Sequence, residues 1–482
     1  MVSTTFVPVA MPRRIEARPV ARAAVSAEAK LWCALAVGSL VIAGLLSLSV
    51  VVGRLPVLSR IIDDPLFFKR CLVVHVDLAL VVWFYAFLGG LMALRAPASG
   101  GALARGAFIG AVGGVVAMLA GALMRGAQPV LANYVPVIDH PLFGAGLAMF
   151  FVGMLAFLLR SLVEPTDARS ELPRDAAIGL QAATVLVAIA AATWVSARAG
   201  LPAGTDAYTR AEFLAWGPGH VLQAANASAM LAVWLWLLAR VTGGPVFSTR
   251  AARGVFALLV LPQLAMPLLT LRGTLDTLYH SGATQLMRWG IFPAVVVVVV
   301  VGARRVWDAK KDRLRAGSRA ATRVALAGFF ASAGLAVLGM ILGACIRGST
   351  TLVPAHYHAS LGAVTVAFMA AAYFVCDAVR RDRGEGLREH TWTSAKWQLG
   401  TFGVGQTVFA LGFAIGGAYG LGRKAYAAEQ HVRSAGELVG LVVMGLGGLV
   451  ATAGGLWFLF LVLREMRGWW GRRAVETANL PT

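Results

Sequence analysis

Twelve separate runs of about 20 mainly apolar residues dominate this chain, each long enough to cross the hydrocarbon of a bilayer as one helix. They lie at residues 31–53, 70–94, 104–124, 141–163, 176–198, 213–240, 254–271, 283–303, 321–345, 352–377, 396–420 and 436–464. In lipid every backbone N–H and C=O must be satisfied within the protein, so such runs predict an all-α integral membrane protein of twelve transmembrane helices. Composition agrees: 58% of residues are hydrophobic and 14% charged, against roughly 45–50% and about 25% in water-soluble domains. The formal charge of +20 would suggest a nucleic-acid partner if Lys and Arg were spread evenly. They cluster instead between the apolar runs, as cytoplasmic loops do, so no nucleic acid is expected. Cys33, Cys71, Cys345 and Cys376 form no CxxC or CxxCH pattern, which excludes covalently attached haem c and leaves no reason to expect disulfides.

Orientation follows from the positive residues. With both termini cytoplasmic, thirty of the 43 Lys and Arg fall inside and twelve outside, leaving Arg288 within the eighth span. The largest contribution is the loop from Arg304 to Arg323, with eight positive residues, followed by Arg380, Arg381, Arg383 and Arg388. Residues 1–30 carry Arg13, Arg14, Arg18 and Arg22 but no compact apolar core before a small-residue cleavage site, and so read as a cytoplasmic tail rather than a signal peptide. Residues 31–464 then form one membrane domain, and 465–482 a second cytoplasmic tail, in a bacterial-type cytoplasmic membrane. No internal repeat points to an inverted-repeat transporter.

Four of the eight histidines lie inside spans: His75 in the second, His220 in the sixth, His356 and His358 in the tenth. All three are even-numbered and start at the outer face. Each histidine comes about five to eight residues after the start, roughly 8–12 Å deep. A single intramembrane histidine is accounted for by a hydrogen bond to a neighbouring helix. Four in one layer are not, because polar groups in spans are expensive and tend to be functional. Residues two apart on a helix diverge by about 200°, so His356 and His358 face opposite ways. That arrangement suits two planar cofactors flanking one helix, and iron porphyrin is the natural candidate for neutral imidazoles in an apolar setting.

The segment VPAHYHASLGAVTVAFM (353–369) resembles the His-x-His tenth helix of the haem-copper oxidase superfamily catalytic subunit. This subunit is cytochrome c oxidase subunit I-like, and the likeness is nearest to the B-type branch and extends to nitric oxide reductases. The resemblance makes His356 the proximal ligand of a high-spin haem and His358 an axial ligand of a low-spin haem. CLVVHVDLALVVWFYAF (71–87) places His75 as the other low-spin ligand. GLGRKAYAAEQ (420–430) resembles the segment that holds haem propionates, with Arg423 and Lys424 in those positions. NYVPVIDHPLFGAGLAMFF (133–151) resembles the passage into the fourth helix, where His140 reads as structural. The cofactors implied are two haems of b or a type.

Three departures bear on the reaction. His220, in WGPGHVLQAAN, matches the first histidine of the family's copper, but the adjacent pair due about fifty residues later is replaced by Thr270, Leu271 and Arg272. His280 falls some ten residues late, in an expected outer loop, and one imidazole cannot hold copper securely. The tyrosine of B-type oxidases, four residues after the first histidine, is Ala224 here; Tyr279 beside His280 is no convincing replacement. Protonatable groups are scarce in the inner half of the bundle, the eighth span ending in VVVVVVVG. Asp77 is the one carboxylate well inside a span and reads either as an acid paired with an outer-loop cation or as part of haem or proton chemistry. Gln223 and Asn226 offer hydrogen bonds to a ligand near His220 or to neighbouring helices. Trp216, Trp457, Trp469 and Trp470 fit interfacial belts.

The reading favoured is a membrane dihaem oxidoreductase that takes electrons from an outer donor subunit or a mobile cytochrome c or cupredoxin. It passes them from the bis-histidine haem to a high-spin haem that reduces O2, with His220 beside the reacting ligand and both haems toward the outer face. Reduction of nitric oxide, a non-enzymatic haem redox or gas sensor that has lost its copper site, and a secondary transporter are the alternatives.

Overall fold

The computed structural model describes residues 24–52, 64, 66–96, 100–273, 276–312, 319–423 and 432–470. Twelve of its helices are long and apolar enough to cross a membrane. They are α1 Ala27–Val52, α2 Phe67–Arg95, α3 Ala102–Leu123, α4 Pro141–Val163, α5 Arg174–Ala199 and α6 Ala207–Thr242. The second half comprises α7 Thr249–Leu271, α8 Thr277–Asp312, α9 Arg319–Ala344, α10 Leu352–Arg381, α11 Glu389–Ala418 and α12 Ala435–Met466. A two-stranded antiparallel hairpin, β1 Gln128–Val130 with β2 Val137–Asp139, bridges α3 and α4. Arg13, Arg14, Arg18, Arg22 and Lys424 lie outside the described residues, as do most of the proposed tails.

The apolar runs become helices where expected, but three boundaries move for identifiable reasons. α6 begins at Ala207, earlier than the apolar run itself, because Asp206 caps it by accepting from the Tyr208 and Thr209 N–H groups at 3.0 Å. α8 begins at Thr277 because Asp276 accepts from the Leu278 N–H at 2.7 Å. His280 therefore sits in the first turn of the eighth span and not in a loop. α7 is broken at Leu264 into Thr249–Gln263 and Ala265–Leu271, because Pro267 in the first turn of the second piece has no N–H to offer the Gln263 carbonyl. Inside α2, residues Asp77–Val82 form a π-helical turn directly after His75.

α6 and α10 are the most enclosed helices. Two polar bonds tie them to α9: Trp234 Nε1–H donates to Ser332 Oγ at 2.7 Å, and Ser332 donates to the Ala363 carbonyl at 2.6 Å. Interhelical bonds of this kind contribute about 0.6 kcal/mol each. Below them the rings of Trp83, Phe87, Phe368 and Phe458 interlock with centroids 5.0–6.2 Å apart. Such pairs add about 0.5–1.5 kcal/mol each beyond their packing. At the arginine-rich end Glu171, almost wholly buried, accepts from both Arg240 of α6 and Arg381 of α10. Arg380 reaches Glu465 of α12 at 2.9 Å. Glycines let helices approach closely: Gly90 sits against Cys33 of α1 and Gly447 against Phe409 of α11.

Candidate functional site

His356 and His358 project to opposite sides of α10, as their spacing requires. His356 faces α9, where its Nδ1–H donates to the Gly339 carbonyl at 2.7 Å. A carbonyl only accepts, so this bond fixes the tautomer and leaves Nε2 with its lone pair available, the arrangement that second-shell partners impose on metal-ligating histidines. Gly343, one turn on, lets the ring lie flat against α9: a Cβ there would stand 2.7 Å from His356 Nδ1. His358 faces α11, stacked on Phe413 with centroids 5.3 Å apart and edge-on to Phe409 at 4.8 Å.

His75 repeats the first pattern on α2. Its Nδ1–H donates to the Ala43 carbonyl of α1 at 2.8 Å, leaving Nε2 available. Asp77 is fully buried in the π turn, and neither of its oxygens has a hydrogen-bond partner among the described residues. Helical irregularity next to an orphaned polar group is a recurring mark of functional sites. His75, His356 and His358 are only half-buried. Pinned Nδ1 atoms, available Nε2 lone pairs, incompletely covered rings and an orphaned carboxylate together fit haem groups between these helices.

His220 is different. Its Nδ1–H donates to the Trp216 carbonyl at 2.8 Å, and its Nε2 accepts from the Tyr134 hydroxyl at 3.0 Å. Trp216 packs against the imidazole with tilted rings and centroids 4.1 Å apart, and meets Tyr279 and His280 at 5.1 and 4.5 Å. This corrects the interfacial reading of Trp216, which lies at the centre of an aromatic cluster joining α6 to α8. Thr270 bonds back to its own helix at Met266, and Arg272 pairs with Asp276 at 3.1 Å. Among the described residues no three His, Cys, Asp or Glu side chains converge as a metal site. The donors around His220 do not fit copper.

Tyr134 was missed in the sequence because it lies in the turn between β1 and β2, far from any apolar run. It is the one non-glycine residue among those described with a positive φ, 67°, a conformation that costs an L-residue about 1–2 kcal/mol. Its neighbours hold it there. Asn133 donates to Glu212 of α6 from its backbone N–H at 2.7 Å and from its side chain. Arg210 reaches Asp139 at 3.2 Å. Burial, reinforced by the Glu212 carboxylate, pushes the Tyr134 phenol above its ordinary range, so the hydroxyl keeps its proton. The glycine immediately before His220 was the available signal, since the Tyr134 ring occupies the space its side chain would fill.

Arg423 hydrogen-bonds Ser349 at 2.9 Å, joining the loop after α11 to the start of the helix that carries His356 and His358. His140 caps α4 by accepting from the Leu142 N–H at 3.2 Å, a structural role.

These features define a class: an integral membrane helical bundle that carries imidazoles inside its second, sixth and tenth spans. Residues 28–451 match the family of cytochrome c and quinol oxidase polypeptide I, and the chain belongs to it. A cryo-EM structure of a heme-copper terminal oxidase dimer has the same fold, with a TM-score of 0.65, 17% identity, and coverage of 94% of this chain and 84% of that one. An uncharacterised protein of Aquifex aeolicus is 29% identical over 352 residues, covering 71% of this chain and 83% of the relative. One of Rickettsia prowazekii is 23% identical over 502 residues, covering 91% and 96%. Membership makes the chain a membrane oxidoreductase of the haem-copper oxidase kind, and the family implies haem cofactors, usually with copper.

Proposed function

We propose that the chain is a dihaem membrane oxidoreductase whose terminal acceptor is O2. His75 and His358 would together hold a low-spin haem, His356 would hold a high-spin haem, and Arg423 with Lys424 would neutralise propionates. The observation that carries this reading is the pair of imidazoles on α10. His356 is pinned to the Gly339 carbonyl and His358 is stacked on Phe413, on opposite faces of one helix. When bound, the haems supply reversible one-electron chemistry and an open coordination position for a small gas.

The protein holds the rest of the site. Nδ1 anchoring keeps His75 and His356 from rotating, Phe409 and Phe413 keep water from His358, and the Arg423–Ser349 bond closes the outer end of α10. Both termini are cytoplasmic, the haems lie toward the outer face, and a partner subunit, cytochrome c or cupredoxin delivers electrons there.

The occupied Nε2 of His220 favours a second reading, a non-catalytic haem redox or gas sensor, since it removes a copper ligand. Reduced-minus-oxidised and carbon monoxide difference spectra of purified protein test the assignment. Two haems per chain, one reactive with carbon monoxide, are expected. A colourless protein after expression with added haem overturns it. Turnover with O2 or nitric oxide separates enzyme from sensor.

A further inference from the structure

The outer hairpin carries a residue whose placement is expensive and deliberate. Tyr134 is held in the left-handed region, its loop is clasped to α6 by Glu212 on one side and Arg210 on the other, and Gly219 leaves space for its ring. All of this brings one hydroxyl to 3.0 Å from His220 Nε2. The rest of the imidazole is accounted for, with Nδ1–H spent on the Trp216 carbonyl and the tilted Trp216 ring packed against it. His280, the other imidazole of the region, lies against the same Trp216 ring.

We propose that Tyr134 takes the place of a second metal against His220, so that a small ligand meets a phenol–imidazole pair there instead of a metal ion. The chemistry follows from the hydrogen-bond inventory. Nε2 has no proton to give, because the only imidazole N–H is committed to a carbonyl. The Tyr134 hydroxyl is the rotatable donor on Nε2: it either donates to Nε2 or swings its O–H to the oxygen of a bound diatomic. His220 serves as the resting acceptor and Trp216 holds it in register. Tyr134 is thereby a ligand-contacting residue, delivered by the loop between α3 and α4. The ligand half of the proposal rests on the haem reading above, because α6 packs against the α10 helix that bears His356. The metal half does not.

The test uses the purified full-length protein from copper-supplemented expression with added haem. Elemental analysis compares wild type with His220→Ala, and with His220→Gln should the alanine variant fail to fold. No His220-dependent copper is expected. One copper per chain in the wild type, lost on substituting His220, overturns the proposal. The C–O stretch of the reduced, carbon monoxide-bound protein is then compared with that of Tyr134→Phe. Loss of a donor to the ligand oxygen should raise the frequency and abolish the shift seen on transfer to D2O. An identical stretch in both proteins overturns the ligand half. A preparation without haem refutes the proposed function instead, and the copper comparison still decides whether Tyr134 has displaced a metal.

Discussion

Gly343→Ala is the sharpest probe of how α9 holds the His356 ring. The new methyl carbon would lie 2.7 Å from His356 Nδ1 and 2.9 Å from its Cε1, closer than real Cβ contacts come. Retreat is blocked because Nδ1–H is bonded to the Gly339 carbonyl, one turn earlier on the same helix, at 2.7 Å. The ring must rotate and give up that bond. A typical hydrogen bond contributes about 1 kcal/mol net, and overpacking adds about 1–3 kcal/mol. Removing an orienting partner of a metal-bound histidine weakens binding about 10–100-fold. Carbon monoxide difference spectra at limiting haem should therefore show the reactive haem falling by that factor. The low-spin signal should persist, since His358 lies on the other face of α10. Gly334→Ala is the control, on the same helix with open space around the added methyl. Wild-type carbon monoxide reactivity in Gly343→Ala would refute the reasoning.

Three further outcomes are expected. His358→Ala should abolish the six-coordinate low-spin spectrum and retain the carbon monoxide-reactive haem; a surviving six-coordinate signal would reassign the ligand. Glu171→Gln should destabilise the arginine-rich end of α6 and α10 by about 3 kcal/mol, because it breaks a nearly buried carboxylate that two arginines share, and a thermal melt in detergent measures it. Asp64 accepts from Arg70 at 2.5 Å and from the Leu66 N–H at 3.0 Å, and these bonds hold its carboxyl below the usual carboxylate range. A depressed folded pKa stabilises fully above the unfolded value of about 3.9, and that contribution is lost as pH falls through the folded value. The difference in melting temperature between wild type and Asp64→Asn should therefore stay constant from neutral pH to about 5 and shrink only below about 4. A difference that vanishes near pH 6 contradicts the pairing.

How much of this was legible depends on which physical signal each residue emits. The spans announce themselves by length and hydropathy, so all twelve appear in sequence, and the 200° divergence of His356 from His358 is fixed by helix geometry alone. Helix starts are set by single capping carboxylates such as Asp206 and Asp276, which a hydropathy pattern does not weigh. That is why His280 was read as a loop residue. Tyr134 was illegible for a different reason. Its partner is 86 residues away, and its conformation is imposed by Glu212, Gly219 and the hairpin register together, none of which marks the tyrosine locally. Trp216 shows the same limit: a tryptophan near a span end faces lipid or protein according to what packs beside it, and here α8 does.

The placement of both imidazoles on α10 makes the orientation of that one helix critical. A side-chain tip lies about 5–6 Å from a helix axis, so a rotation of about 20° moves it by roughly 2 Å, enough to misplace both imidazoles at once. Opposed faces cannot be corrected by shifting the helix sideways, because relief for His356 worsens His358. The chain answers this by fastening both ends. At the arginine-rich end Arg381 is tied to Glu171 at 2.8 Å and Arg380 to Glu465 of α12 at 2.9 Å. At the other, Thr351 donates its hydroxyl to the Phe413 carbonyl of α11 and its N–H to Leu421, both at 2.9 Å. Phe413 also stacks on His358, so the residue that braces the ring is bonded through its own backbone to the helix that carries it.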